Sequence, residues 1–337
     1  MGSLKREGTS YHPLLEQFKD ITIGIGCYNA HEISLPLKPD SKPVAASASR
    51  IPIPLQAKVK AELDRLTEAG VFEDIPVDDN TQFINWLLPV PKKIPGSDEL
   101  GVRLTMDWRE LNRCLDAVHQ EVPTFDQLRH DLNGARVFSK LDLSSAFFQF
   151  KLDHKSSRLT TFLTPWGLKH STRLVQGAKP SAAICHEIVR CTLQGISHAL
   201  TIYDDILVWG CGSTQEEAQK DHNFNLRQVF EVFPLKGLTI NKEKCKFSAT
   251  KIKFFGFMVS KDGFSSKRAM RVRASFPVLS LCWACSLRKV RSSAKVLQQL
   301  AAELDHRRSS GRRRRRRRRR KKKKKKVPLS CRDSEHL

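Results

Sequence analysis

Apolar positions recur densely between about residues 51 and 263 and thin out on either side. From Pro54 to Ala69, Val59, Leu63 and Leu66 return at helical spacing, Pro stands near the start and Gly70 follows the end. That pattern predicts an amphipathic helix. Trp86 to Val90 and Val102 to Met106 have strand composition and are joined by a stretch holding Lys92, Lys93 and Gly96. Val137 to Leu143 is an apolar run that carries an aspartate, Asp142, next to its end, and Ser181 to Leu193 has helical periodicity. Leu200 to Ile202 and Ile206 to Trp209 flank Tyr203-Asp204-Asp205, which predicts a hairpin with carboxylates at its turn. Lys253 to Val259 is expected to be one strand, closed by the turn signal Lys261-Asp262-Gly263. A further strand is expected at Ile21 to Ile25, ahead of a polar Pro/Ser/Ala stretch from Lys38 to Ser49. Helices and strands mixed in this order predict an α+β fold with an antiparallel sheet.

Charge divides the chain more sharply than hydropathy does. Of the formal net charge of +24, the segment Phe264 to Leu337 holds +22, with 26 Lys and Arg against 4 Asp and Glu. Nine arginines (Arg312 to Arg320) and six lysines (Lys321 to Lys326) supply most of it, so the basic character belongs to a tail and the patterned body is nearly neutral. Such a run has nothing to bury and is expected to be disordered. It reads either as a nuclear-import or nucleic-acid-binding sequence or as a translated simple repeat after a frame or splice change. Nine scattered cysteines argue for reduced thiols, and Cys282 and Cys285 form a lone CxxC without a second pair at zinc spacing. No run of about 18 apolar residues predicts a membrane span, and the polar N-terminus is unlike a secretory signal. The expected location is intracellular, cytoplasmic or nuclear, without a membrane partner.

An isolated Asp-Asp pair is most often a wet turn. Here Ile202, Tyr203, Ile206, Leu207 and Val208 surround Asp204 and Asp205 with sheet-forming apolar residues. Carboxylates in that setting need a neutralising cation, and Mg²⁺ prefers oxygen ligands. Asp142 ends a second buried-looking strand 62 residues before Asp204. Three carboxylates meeting at strand ends can hold two divalent ions about 4 Å apart, the arrangement used for in-line phosphoryl transfer.

The words around these residues resemble a known family. Ser139-Lys-Leu-Asp142-Leu-Ser-Ser-Ala-Phe147 and Ile202-Tyr-Asp-Asp-Ile-Leu-Val208 are similar to the aspartate-bearing palm motifs of reverse transcriptases. Leu174-Val-Gln176-Gly177-Ala-Lys-Pro-Ser-Ala-Ala183 resembles their nucleotide and template motif. Val102-Arg103-Leu-Thr-Met-Asp107-Trp-Arg109-Glu-Leu-Asn112 resembles the fingers motif. Gly237-Leu-Thr-Ile-Asn241-Lys-Glu-Lys244-Cys-Lys-Phe247 and Phe254-Phe-Gly256-Phe-Met-Val-Ser260 resemble the last two palm motifs. Six motifs in family order, over roughly residues 34 to 263, identify the chain as a member of the gypsy-like LTR-retrotransposon reverse transcriptases. It departs from the usual pattern at Ile202 (commonly Tyr), at Gln176-Gly177-Ala178 and Ser181-Ala182-Ala183, and at Phe257 (commonly His).

The resemblance implies a right-hand polymerase fold: fingers at about 51–135 and 155–175, palm at about 136–154 and 176–263, and a thumb partial or absent. By the same resemblance Asp142, Asp204 and Asp205, with the carbonyl of Leu143, hold two Mg²⁺ ions (Mn²⁺ as the alternative). Lys92, Lys93, Arg103, Asp107, Leu143, Phe147, Gln176 and Gly177 form the nucleotide site, with Phe147 as a gate against the 2′-OH. Lys244 is the implied acid for pyrophosphate, and Phe255, Gly256 and Phe257 are the primer grip. The implied partners are an RNA or DNA template with its primer, and deoxynucleoside triphosphates. The expected organisation is a leader (1–50), fingers and palm (51–263), a degenerate thumb-like or connection-like segment (264–310) and the basic tail (311–337), ending before ribonuclease H and integrase. Two other functions are weighed: a relic that binds nucleic acid without turnover, and ribonuclease H by family association, for which no domain is seen.

Overall fold

The computed structural model describes residues 12–43, 45, 51–76, 83–93, 100–120 and 122–265. A one-turn helix, α1 (Leu14–Gln17), opens the described chain, followed by a 3-10 turn at Lys19–Thr22 and helix α2 (Ile53–Glu68). Strands β1 (Phe72–Asp74), β2 (Asn85–Lys93) and β3 (Leu100–Asp107) precede helices α3 (Arg109–Cys114) and α4 (Phe125–Asp131). Strand β4 (Ala135–Asp142) leads through a 3-10 turn at Ala146–Gln149 into α5 (His154–Leu159), β5 (Phe162–Thr164) and β6 (Gly167–Ser171). Helix α6 (Ser181–Thr192), hairpin β7 (Ala199–Ile202) and β8 (Asp205–Cys211), and helix α7 (Gln215–Leu235) follow. The last described elements are β9 (Lys246–Ala249), β10 (Lys251–Phe254), β11 (Phe257–Ser260) and β12 (Gly263–Ser265).

Local chemistry sets several boundaries. Helix α2 begins with Pro54 in its first turn and buries Val59, Leu63 and Leu66. Helices α4 and α7 each start on a capping box, Thr124 with Gln127 and Thr214 with Glu217, which satisfies orphan amides at both ends of the first turn. Pro234 falls in the last turn of α7, where it helps end the helix.

Among the described residues the strands form three sheets. One has the order β1-β6-β5-β2-β3 and is mixed, because β2 and β5 run parallel. The second, β7-β8-β4-β9, is antiparallel throughout, and the third is the small antiparallel β10-β11-β12. Both faces of the second sheet are covered, as the period of two along a strand demands. Leu141, Ile206 and Val208 pack with Leu226, Val229, Phe230 and Phe233 of α7. Phe138, Leu207 and Trp209 point the other way, into a cluster with Leu128, Ile252, Phe254 and Val259.

Most predicted elements are present with bounds shifted by a few residues, and three differ in kind. Ile21 to Ile25 is no strand: it lies in the 3-10 turn and the bend after it, and the carbonyl of Ile21 accepts from the Ile240 amide at 2.7 Å. Lys253 to Val259 is broken into β10 and β11, because Phe255 and Gly256 both take positive φ and turn the chain back. Lys92 and Lys93 belong to β2, whereas Gly96 lies outside the described residues. The segment read as a leader contributes Leu14, Leu15, Ile21, Tyr28, Ile33 and Leu35 to the main core. Helix α7, the longest described, stands where no helix was expected. The thumb-like segment from 266 onward, Cys282, Cys285 and the Arg/Lys run lie outside the described residues.

Two outcomes follow from this packing. A Cβ on Gly210 would stand 2.0 Å from the Ala218 carbonyl oxygen, where β8 crosses α7. Gly210→Ala is expected to lower stability by about 3 kcal/mol, or roughly 10 °C in Tm, read by thermal denaturation. Burial also holds His222 down at about 4, where its Nε2 meets the Ser139 hydroxyl at 2.7 Å. The unfolded chain takes up that proton near the ordinary histidine value of 6.5 and the folded chain does not. Stability should therefore be full above that pH and fall as pH drops towards 4, by up to about 1.4 kcal/mol per pH unit for this group. Tm measured across the window should fall less steeply in His222→Gln.

Candidate functional site

The register of one strand pair builds the site. Strands β4 and β8 are antiparallel with Asp142 opposite Asp205 and Leu141 opposite Ile206. Opposed residues in such a pair stand about 5 Å apart at Cα and share a face. Ile202 pairs with Asp205 across the β7–β8 hairpin, leaving Tyr203 and Asp204 as its two-residue loop. Tyr203 has φ +58, a left-handed conformation that costs a non-glycine residue about 1 kcal/mol. The surroundings hold it there: its amide donates to His186 Nδ1 of α6 at 2.9 Å, and its ring lies 6.5 Å from that of Phe255. The predicted primer-grip turn, Phe255-Gly256, thus comes against the aspartate hairpin, and Phe257 packs edge-on against Phe264.

Electrostatics couple the three carboxylates. Burial pushes the Asp205 carboxyl up, the Lys140 ammonium opposes this, and the charges of Asp204 and Asp142 push it up further. Lys140 Nζ lies 2.7 Å from Asp205 Oδ2, and Lys244 Nζ donates to Asp142 Oδ1 at 3.2 Å. Two ammonium groups therefore occupy the place of cations on a half-buried acidic set, with Asp142 and Asp205 side chains 22% and 27% exposed. That donor set fits a hard divalent cation. The three aspartates are nevertheless not drawn tight: among the described residues, the His/Cys/Asp/Glu group whose ligand atoms all lie within 4.8 Å of one another is His198, Cys211 and Asp221.

The turn after Asp142 is held by neighbours distant in sequence. The Asn241 amide donates to the Asp142 carbonyl at 2.8 Å, Leu143 bridges Ile240, and the Ser144 amide donates to the Thr239 carbonyl. Gln149, fully buried, ties the two segments by donating to the Ser144 and Thr239 carbonyls and accepting from the Thr239 amide. Leu143 is buried, and Phe147 sits half-buried in the following 3-10 turn against the main core.

A second constellation joins β3 to the loop before α6. The Arg103 guanidinium donates to Gln176 Oε1. The Trp108 indole donates to the Gln176 carbonyl at 3.0 Å, and Asn112 bonds both the Gly177 carbonyl and the Lys179 amide. Gly177 has φ +98 with Trp108 against its open side at 3.2 Å, so a side chain there would be both strained and crowded. Lys92 pairs with Gly101 on β3 and is exposed, while Lys93 pairs with Leu100 at the strand end. Asp107 is held otherwise: Arg109 hydrogen-bonds its carboxylate at 2.6 to 2.9 Å and keeps it below the usual carboxylate range.

Several positions that build the site were not singled out from sequence. Lys140 had a legible signal, since it stands two residues before Asp142 and so shares its face. His186 and Gln149 reach Tyr203 and Thr239, 17 and 90 residues away, and no local pattern marks them; Trp108, inside the fingers motif, bonds Gln176 68 residues on.

Comparison with known proteins agrees with this architecture. The model of the reverse transcriptase (RNA-dependent DNA polymerase) family matches residues 90–259. The retrovirus-related Pol polyprotein of transposon 412 from Drosophila melanogaster is 32% identical over 238 residues, 70% of this chain and 18% of that polyprotein. The transposon Tf2-3 polyprotein of Schizosaccharomyces pombe is 24% identical over 260 residues, 75% of this chain and again 18% of the relative. The chain therefore spans about a fifth of the length of these relatives. The foamy viral protease-reverse transcriptase, solved in complex with double-stranded DNA, shares the mixed α and β fold with a TM-score of 0.62. It is 21% identical, over 75% of this chain and 43% of that one. With the family match running from β2 to β11 and relatives among the retrotransposon polyproteins of a fly and a yeast, the chain belongs to the reverse transcriptase family and is related to the Pol polyproteins of gypsy-like LTR retrotransposons.

Proposed function

We propose that this chain is the catalytic core of an RNA-directed DNA polymerase that adds deoxynucleotides to a primer 3′-OH. The observation that carries the reading is the pairing of Asp142 with Asp205 beside the Asp204 loop, with two lysine ammoniums lying where cations belong. In this reading the antiparallel β7-β8-β4-β9 sheet is the palm and the mixed five-stranded sheet belongs to the fingers. Solved relatives hold double-stranded DNA and an RNA/DNA hybrid. A primer–template of either kind is the substrate we assign here, gripped through its backbone with weak sequence preference.

Asp142, Asp204, Asp205 and the Leu143 carbonyl would hold two Mg²⁺ ions. When bound, such ions supply the positive charge that favours the primer alkoxide and offsets charge on the leaving pyrophosphate. The chain's own residues do the rest. Arg103, braced by Gln176, presents a guanidinium to the triphosphate, with Lys92 and Lys93 on the neighbouring strand. The Gln176-Gly177 backbone, fixed by Trp108 and Asn112, lines the nucleotide. Phe147 packs below the sugar and leaves no room for a 2′-OH. Phe255, Gly256 and Phe257 press the primer end towards the aspartates. Lys244, its ammonium 3.2 Å from Asp142, gives its proton to the departing pyrophosphate. Asp107 acts at one remove, by fixing Arg109.

The same two ammoniums favour a second reading, a relic that binds nucleic acid without turnover, because they already neutralise two of the three carboxylates. Primer extension on an RNA template separates the two. Turnover by the full chain should fall by about three orders of magnitude or more in Asp204→Ala, while primer–template binding changes little. Binding without incorporation by the unaltered chain would establish the relic. Phe147→Val should raise the use of ribonucleotides relative to deoxynucleotides by about 10- to 100-fold, read from single-nucleotide incorporation. An unchanged ratio would remove Phe147 from the role of gate.

A further inference from the structure

At the end of the antiparallel sheet away from the aspartates, three side chains of metal-ligand type come together. His198 immediately precedes β7, Cys211 is the last residue of β8, and Asp221 lies in the second turn of α7. Their ligand atoms all lie within 4.8 Å of one another. His198 Nδ1 is 2.7 Å from Asp221 Oδ2, and the same oxygen accepts the Cys211 amide at 2.8 Å. Six residues of extended strand separate Cys211 from Asp205, about 20 Å along β8, so this cluster is independent of the phosphoryl-transfer site.

The surroundings favour an ion there. Asn225, buried, donates to the carbonyl and Oδ1 of Asp221 and fixes the carboxylate. The His198 ring rests 5.5 Å from that of Trp209. The indole N–H of Trp209, two residues before Cys211 on the same strand, is buried without an acceptor. His198 and Asp221 keep 29% and 31% of their side chains exposed, which leaves one side open for a water ligand. Sulfur, imidazole and carboxylate together suit a borderline-soft ion better than Mg²⁺ or Ca²⁺.

We infer that His198, Cys211 and Asp221 form a Zn²⁺ site that ties β7, β8 and α7 together, with water as the fourth ligand. Ligands of tetrahedral Zn²⁺ sit about 2.0 to 2.3 Å from the ion and hence about 3.3 to 3.5 Å from one another, so binding opens the 2.7 Å His198–Asp221 contact slightly and draws the Cys211 sulfur towards both. Without the ion His198 Nδ1–H donates to Asp221 Oδ2; as the ion enters, the imidazole proton moves to Nε2 and Nδ1 presents its lone pair. Only the thiolate is a ligand, so the Cys211 proton is released to solvent as the ion enters.

The test uses the full chain carrying Cys282→Ser and Cys285→Ser, which removes the other cysteine pair, with Zn²⁺ and Co²⁺ alone as probes. One Zn²⁺ per chain is expected, with a thiolate-to-cobalt charge-transfer band for the Co²⁺ form. At a hundredfold excess over Kd, Zn²⁺ should raise Tm by about 5 °C or more. Cys211→Ser should abolish the band, and His198→Ala should weaken Zn²⁺ binding at least tenfold, each with an unchanged far-ultraviolet circular dichroism spectrum. Asp142→Asn with Asp204→Asn should leave Zn²⁺ bound. Absence of the band, a band that survives Cys211→Ser, or Zn²⁺ lost only in the aspartate variants would overturn the inference.

Discussion

Two carboxylates stand directly opposite one another on adjacent antiparallel strands, and the fold is arranged to tolerate it. Like charges at opposed positions destabilise a sheet, and burial raises the cost further, as the upward displacement of Asp205 records. The β4–β8 register cannot relax to avoid the clash. A slip by one residue would turn Phe138, Leu207 and Trp209 away from one core and Leu141, Ile206 and Val208 away from the other. With both faces buried, the register is locked and the acidic pair is locked with it. The unfavourable charge is then offset by cations: Lys140 and Lys244 in this structure, and divalent ions in the function proposed.

The rest of the architecture serves that register. Helix α7 closes one face, while α4 and the β10-β11-β12 sheet close the other. The 239–241 segment clamps the turn after Asp142, with Gln149 bridging the two, and His186 props the strained Tyr203. The N-terminal segment is part of the same scheme, since the Gly26 amide donates to the Thr239 hydroxyl and the Ile21 carbonyl receives the Ile240 amide. A cation joining His198, Cys211 and Asp221 would secure the far end of the same sheet, where β8 passes α7.

Much of this was legible in the chain. The continuous apolar runs of β4 and β8 and the helical period of α2 and α6 are local patterns, and the elements appear where those patterns stand. Helix α7 was legible in principle through Thr214 and Glu217, but its Pro234 and mixed apolar spacing blur the repeat. The split of Lys253 to Val259 was hidden because Phe255, an aromatic residue that favours strands, takes φ +43 beside Gly256. Of the candidate site, the carboxylates and the Arg103–Gln176 neighbourhood were marked by their motifs. The supports His186 and Gln149 were not, because a hydrogen bond between residues distant in sequence leaves no trace in local spacing. Nor does a motif indicate how a carboxylate is partnered: Asp107 proved committed to Arg109, and Lys244 to Asp142.

The proposed chemistry requires Asp142, Asp204 and Asp205 to close around divalent ions when substrate is present. The most direct measurement is a crystal structure of the chain with a chain-terminated primer–template, a deoxynucleoside triphosphate and Mn²⁺, with the ions located by anomalous scattering. Two peaks about 4 Å apart among the three carboxylates, with the Lys140 and Lys244 ammoniums displaced from Asp205 and Asp142, are the predicted result. Bound substrate with no ion at these carboxylates, and both ammoniums still in place, would contradict it.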